Sequence, residues 1–315
     1  MIKGDVGMKA AIIHKNGGPE ELVYADVRDP VAGTGEVVVD IHAASVNAAD
    51  WKVRSDKYGG ASLTFPYTLG RDFSGLVSAL GDGVHDLAVG DAVFGVCDVG
   101  QEGAYAEKIA VKAAIIARKP DGLSHMEAAA LALTGLTATV SIEDTLQLQS
   151  GETILIQGGA GGVAGFAIQL AKHLGAHVIT TASAANHDYL RALGADQIID
   201  YNVEDFTKVV SNCDAVLETV GGDVAQASFA VLKPGGRAAF IASGGTAPEP
   251  DRDDVQSLRP AVGRDREHLD RIGELVALGA VEIPPITEYP LTEAAAAHRV
   301  SEARHLKGKL VFKVR

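Results

Sequence analysis

The chain has 315 residues, 47% of them hydrophobic and 22% charged, which is enough apolar material for a buried core and excludes disorder for most of its length. Against 41 Asp and Glu stand 28 Lys and Arg, a formal charge of −13 that has the wrong sign for drawing the protein to nucleic acid or to an anionic membrane. Cys97 and Cys213 are the two cysteines, too few for a disulfide framework and too far apart for a Cys-x-x-Cys pair, which fits a reducing, cytoplasmic setting.

The length suggests about two domains. Residues 1–7 mix glycine with charge and carry no apolar core of signal-peptide type, and no apolar run reaches the ~18 residues of a membrane span. Short apolar segments then predict strands over Lys9–Ile13, Glu36–Val46, Phe73–Leu80, Asp91–Val96 and Ala106–Val111, punctuated by turns such as Gly81-Asp82-Gly83. They describe a mostly antiparallel, barrel-like domain. From residue 126 the rhythm changes to strand and helix in alternation. Strands are predicted at Thr153–Gln157, His177–Thr181, Gln197–Asp200, Asp214–Thr219 and Ala238–Ala242, with helices at 163–174, 187–193, 204–211 and 223–232. Such alternation implies an α/β, doubly wound parallel sheet. Residues 246–260, rich in proline and charge, read as a surface loop. Helices at 265–279 and 292–303 follow, and a last strand, Lys309–Val314, is expected to return to the first domain. The expected division is 1–125 with 265–315 around an inserted 126–264.

Strand Ile154–Gln157 runs straight into Gly158-Gly159-Ala160-Gly161-Gly162-Val163-Ala164-Gly165, where a helix begins. Read as G-x-G-x-x-G/A, the match is Gly159, Gly161 and Ala164. The first glycine permits a tight turn, the second lets a pyrophosphate approach the backbone, and the third position must be small for helix to pack on strand. Phosphates then sit on the open N–H groups of the helix end, so Gly159, Ala160, Gly161, Gly162 and Val163 are candidate dinucleotide contacts. An NAD site places Asp or Glu about 20 residues on. Here the segment reads Ile179-Thr180-Thr181-Ala182-Ser183-Ala184-Ala185-Asn186-His187, without a carboxylate. Ser183, Asn186 and His187, with Tyr201 after the following strand, are expected to hold a 2′-phosphate, which favours NADP(H), although no Arg or Lys stands there.

Further segments carry a resemblance. They are Ser45-Val46-Asn47-Ala48-Ala49-Asp50, Leu69-Gly70-Arg71-Asp72-Phe73-Ser74-Gly75, Leu133-Thr134-Gly135-Leu136-Thr137-Ala138, Ala192-Leu193-Gly194-Ala195-Asp196, Glu218-Thr219-Val220-Gly221-Gly222 and Gly308-Lys309-Leu310-Val311. Their order resembles the zinc-independent quinone oxidoreductase (zeta-crystallin-like) branch of the medium-chain dehydrogenase/reductase superfamily. The resemblance implies a GroES-like β-barrel catalytic domain beside a Rossmann domain. It places Thr137, Thr219, Val220, Gly221 and Ser243 at cofactor-lining positions and Asn47 against nicotinamide or substrate. Tyr58 matches a position where related enoyl reductases keep a proton-donating tyrosine. Arg71 either binds a carbonyl oxygen or pairs with Asp72 or Asp50.

Zinc-containing relatives carry Cys in place of Asn47, Gly-His-Glu in place of Gly70-Arg71-Asp72, and four cysteines where this chain has Cys97 alone. No metal is therefore expected. Without a Lewis acid, alkoxide stabilisation is lost, and hydride transfer from NADPH to a quinone or an α,β-unsaturated carbonyl compound remains feasible. The alternatives are a zinc-independent alcohol or aldehyde reductase and a cofactor-bound structural or RNA-binding protein, the latter opposed by the charge balance. Strand 237–243 is expected to be an open sheet edge through which a homodimer forms.

Overall fold

The computed structural model describes residues 7–57 and 63–315. The chain forms two compact units. One holds the chain up to Leu133 with Gly263–Gly273 and Pro285–Arg315; the other holds Thr134–Val262 with Glu274–Pro284. Residues 274–284, expected with the first domain, thus group with the second, where the Glu282 N–H donates to the Gln169 side chain (2.8 Å).

The first unit opens with β1 (Met8–Ile13), β2 (Val23–Val27), β3 (Glu36–Ser45), α1 (Ala48–Arg54), β4 (Tyr67–Thr68), β5 (Asp72–Leu80), β6 (Ala92–Val96), β7 (Lys108–Lys112) and β8 (Ile116–Arg118). β3 is its spine. Val37, Val39 and Ile41 face inward and are fully buried, while its edges pair antiparallel with β5 and β7. The register slips between Ile41 and Ala43, and at Gly75 opposite a Cβ would lie 2.0 Å from the Asp40 carbonyl oxygen, so only glycine fits that approach. β2 and α1 were not foreseen. β2 is mostly exposed and shows no clean apolar alternation, and α1 is only seven residues long.

In the second unit α2 (His125–Thr139) leads in from the first, and then come β9 (Thr153–Ile156), α3 (Gly162–His173), β10 (His177–Ala182), α4 (His187–Ala192), β11 (Gln197–Asp200), α5 (Phe206–Val209), β12 (Cys213–Glu218), α6 (Asp223–Ala227), β13 (Leu232–Phe240) and β14 (Gln256–Leu258). The sheet is parallel throughout, in the order β11-β10-β9-β12-β13-β14. Ala164, Ala167 and Ala171 recur at helical spacing on α3 and are buried, and their small side chains allow close packing. β14 falls within 246–260, predicted as loop. It pairs with Arg237–Ala239, so this part of strand 237–243 is not the open edge that the sequence suggested.

The chain then adds α7 (Arg266–Ala277), β15 (Ile286–Pro290), α8 (Ala294–Glu302) and β16 (Lys309–Lys313). β16 lies between β15 and the Ala43–Ser45 end of β3 in the first unit's sheet. Among the described residues no helix is long and apolar enough to cross a membrane.

Candidate functional site

In the second unit, β9 and β12 are neighbours whose successors run to opposite sides of the sheet. This is a topological switch point, where α/β sheets bind ligands beyond the strand carboxyl ends. The loops after these two strands meet there. Gly158 has φ +71°, and a Cβ on it would lie 3.0 Å from Thr219 Oγ1 and 3.1 Å from the Val220 side chain. The tight turn therefore falls on Gly158, not on Gly159 as the motif reading had it. Gly159 is required for another reason, since its Cβ would stand 2.3 Å from Thr180 Oγ1. Gly161 caps α3, and the N–H groups of Gly162, Val163 and Ala164 form the first turn, which contains no acidic residue. Ala160 is buried beneath them.

The facing loop is fixed by its own strand. Thr219 Oγ1 donates to the Gln157 carbonyl (2.8 Å), and Glu218 Oε1 accepts the N–H groups of Val220 (2.6 Å) and Gly221 (2.8 Å). Glu218 Oε2 is shielded and has no partner among the described residues, and burial pushes the carboxyl pKa up. Gly221 abuts Ala242, which brings Ser243 alongside, although the Ser243 hydroxyl is engaged with the Thr246 carbonyl (2.8 Å). Thr137 stands half-buried on α2.

At the end of β10, Ser183, Asn186 and His187 share one turn, with Asn186 Nδ2 donating to Ser183 Oγ (3.3 Å), and Tyr201 is half exposed. The structure adds a carboxylate that the linear segment lacks. Asp200 pairs in register with Ala182 and accepts from the backbone and side chain of Asn202. These hydrogen bonds, the Ala184 N–H and His187 hold its pKa low.

The first unit gathers charge rather than backbone. Asn47, two residues beyond β3, caps the start of α1, and its N–H donates to Asp50 Oδ2 (2.8 Å). Tyr105 Oη donates to the same oxygen (2.7 Å). Arg71 Nε lies 3.0 Å from Glu102 Oε1 and 3.8 Å from Asp50 Oδ1, so its nearer partner is Glu102, which the sequence reading did not consider, and not Asp72. Asp72 accepts from Ser45 Oγ (2.9 Å), Asn47 Nδ2 (2.9 Å) and the Leu133 N–H (3.3 Å). Burial pushes Asp50 up to about 6 and Glu102 up to about 8, with Arg71 opposing both. Behind them His298 joins Tyr105 Oη (3.2 Å) to Arg54 Nε (3.2 Å), and Arg54 pairs with Glu302. Tyr58 lies outside the described residues.

These donors do not suit zinc. The position that would supply a thiolate is an amide bonded to Asp72, Asp72 is engaged with three donors, and Arg71 brings a cation. Among the described residues no group of three His, Cys, Asp or Glu is placed to hold a metal.

Residues 33–121 match the family described as alcohol dehydrogenase GroES-like domain, and residues 193–312 that described as zinc-binding dehydrogenase. A quinone oxidoreductase of Pseudomonas aeruginosa is 33% identical over 94% of this chain and 96% of its own. The chain belongs to the medium-chain dehydrogenase/reductase family, whose members are nicotinamide-dependent oxidoreductases. An NADPH-dependent alkenal/one oxidoreductase of Arabidopsis thaliana is 30% identical over 96% of this chain and 79% of its own. The family likeness also reaches much longer proteins. A mycocerosic acid synthase-like polyketide synthase of Mycobacterium tuberculosis is 32% identical over 98% of this chain, which spans only 16% of that enzyme. Among solved structures, a quinone oxidoreductase of Pseudomonas syringae superposes with TM-score 0.91 at 32% identity, covering 98% of this chain and 100% of that one. A mycobacterial protein solved with NADPH gives 0.88 at 31%, covering 98% and 100%.

Sequence reading missed Glu218, Asp200, Glu102, Tyr105, His298 and Lys309.

Proposed function

We propose that this protein is an NADPH-dependent reductase that transfers hydride, without a metal, to a quinone or an α,β-unsaturated carbonyl compound. The switch-point crevice carries this reading. It presents three helix N-terminal N–H groups and a glycine backbone with no side chain in the way, which suits a pyrophosphate. A bound reduced nicotinamide supplies the hydride, and the chain holds and orients it through Gly158–Val163 and Thr219–Gly221. Acceptors that are already electron-poor suit a site whose donors do not fit zinc, and the quinone and alkenal/one oxidoreductases among the relatives support this class.

Loss of NADPH absorbance with a panel of quinones and enones, unchanged by EDTA, is the expected result. Turnover of simple aldehydes alone would overturn the acceptor class. A second reading, NADH as the cofactor, is favoured by Asp200, whose carboxylate stands beside the Ser183–His187 turn and would repel a 2′-phosphate. The ratio of kcat/KM for NADPH and NADH decides between them.

A further inference from the structure

Lys309 lies on β16 and is only 3% exposed. Its ammonium donates to the Val46 carbonyl (3.0 Å) and to Asn47 Oδ1 (2.8 Å), while Asn47 Nδ2 donates to Asp72 Oδ1 (2.9 Å). The Asn47 carboxamide is thus the bridge of a buried ion pair. An ammonium has only donors and a carboxylate only acceptors, so the amide has one orientation, with oxygen toward Lys309 and nitrogen toward Asp72. That leaves one amide hydrogen weakly held, its nearest acceptor being the Ser45 carbonyl at 3.4 Å.

We propose that Lys309 is a positioning residue that locks Asn47 as a hydrogen-bond donor, so that Asn47 presents an N–H to the reaction and meets an oxygen of the ligand. This rests on the reading of Asn47 as a ligand contact of the proposed reductase. Two chemical consequences support it. The ammonium takes one lone pair of Asn47 Oδ1 and fixes the oxygen on the Lys309 side, so the amide turns its nitrogen, a donor, the other way. It also polarises the carboxamide, strengthening the remaining N–H toward an oxygen on which negative charge develops. Burial pushes the Lys309 ammonium below its ordinary value, and Asp72 and then Asp50 oppose that shift.

The test is a double-mutant cycle of Lys309→Met with Asn47→Ala, read in kcat/KM. Loss of a hydrogen bond to a charged group predicts a fall of roughly tenfold or more for Lys309→Met in the wild-type background. Little further loss is expected once Asn47 is alanine. Losses that multiply would overturn the proposal. A rise in KM confined to the acceptor, or confined to NADPH, tells which ligand carries the oxygen. Lys309→Met leaves Asp72 buried and unpaired, so Lys309→Met/Asp72→Asn provides a charge-balanced background that keeps the fold. A readout independent of turnover is the Asn47 side-chain amide resonance, identified by its loss in Asn47→Ala. Its hydrogens are expected to exchange slowly in the wild type and fast without Lys309, and unchanged exchange would overturn the proposal. If the wild type turns over no acceptor, the proposed function fails, and the amide resonance still decides the role of Lys309.

Discussion

The two candidate regions are made of different material. The crevice of the second unit is almost entirely backbone, and Gly158 and Gly159 matter there because they lack a side chain. The cluster of the first unit is almost entirely side-chain charge, with Asp50, Asp72 and Lys309 buried, Arg71 and Glu102 half-buried, and each dependent on another. One region is therefore broken by adding an atom, and the other by removing one.

The sharpest way to test that contrast is Asp72→Ala, which removes the counter-ion of a buried ammonium. Breaking a buried pair from one side costs about 3–5 kcal/mol, and urea unfolding is expected to show a loss of that size. A loss near zero would mean that Lys309 reaches water or a new partner. Gly159→Ala does the opposite, pressing a methyl group to within 2.3 Å of Thr180 Oγ1. Overpacking of ~1–3 kcal/mol appears as NADPH binding weakened roughly ten- to a hundredfold, measured by titrating NADPH fluorescence. Thr180→Ala in the same chain is expected to restore part of the loss, and failure to do so would place the obstruction elsewhere.

A subtler distinction lies in pH. Glu102 is raised by burial, then by Asp50, to about 8 from an ordinary 4.5, so the folded chain holds its proton more tightly than the unfolded one. That stability is complete below the ordinary value and is lost as pH rises through about 8. Melting temperature between pH 5 and 9 is expected to fall by several degrees more in the wild type than in Glu102→Gln, and parallel curves would refute the shift. The smallest effect is expected at the crevice rim. Asp200→Asn removes one charge near a half-exposed turn and is expected to favour NADPH over NADH by a few-fold, or by less in high salt.

The same contrast explains what was legible in the sequence. The glycine loop, the strand before it and the helix after it are contiguous, so a spacing rule reads them, whereas Thr219, Val220 and Gly221 come from the family resemblance. The parallel strands announced themselves as short apolar runs. The charge cluster has no local signature, because Asn47 and Lys309 are 262 residues apart and the pairing of Arg71 with Glu102 reaches across the whole of β5 and β6. Asp200 escaped for a related reason. It joins the Ser183 turn through the register of β10 on β11, which no linear window contains. The covered edge of β13 was missed because three ladder residues, Gln256–Leu258, follow a stretch whose prolines and charges read as loop.

The position of Lys309 on the final strand also sets a timetable. A ribosome delivers Asn47 and Asp72 early, then synthesises the entire second unit before the ammonium that joins them emerges. Until then the Ala43–Ser45 end of β3 has no β16 beside it and Asp72 has no counter-ion. The second unit can complete its crevice while the first is still waiting. A chain cut short just before the last strand therefore carries the whole glycine-loop sheet while Asp72 still waits for its buried partner.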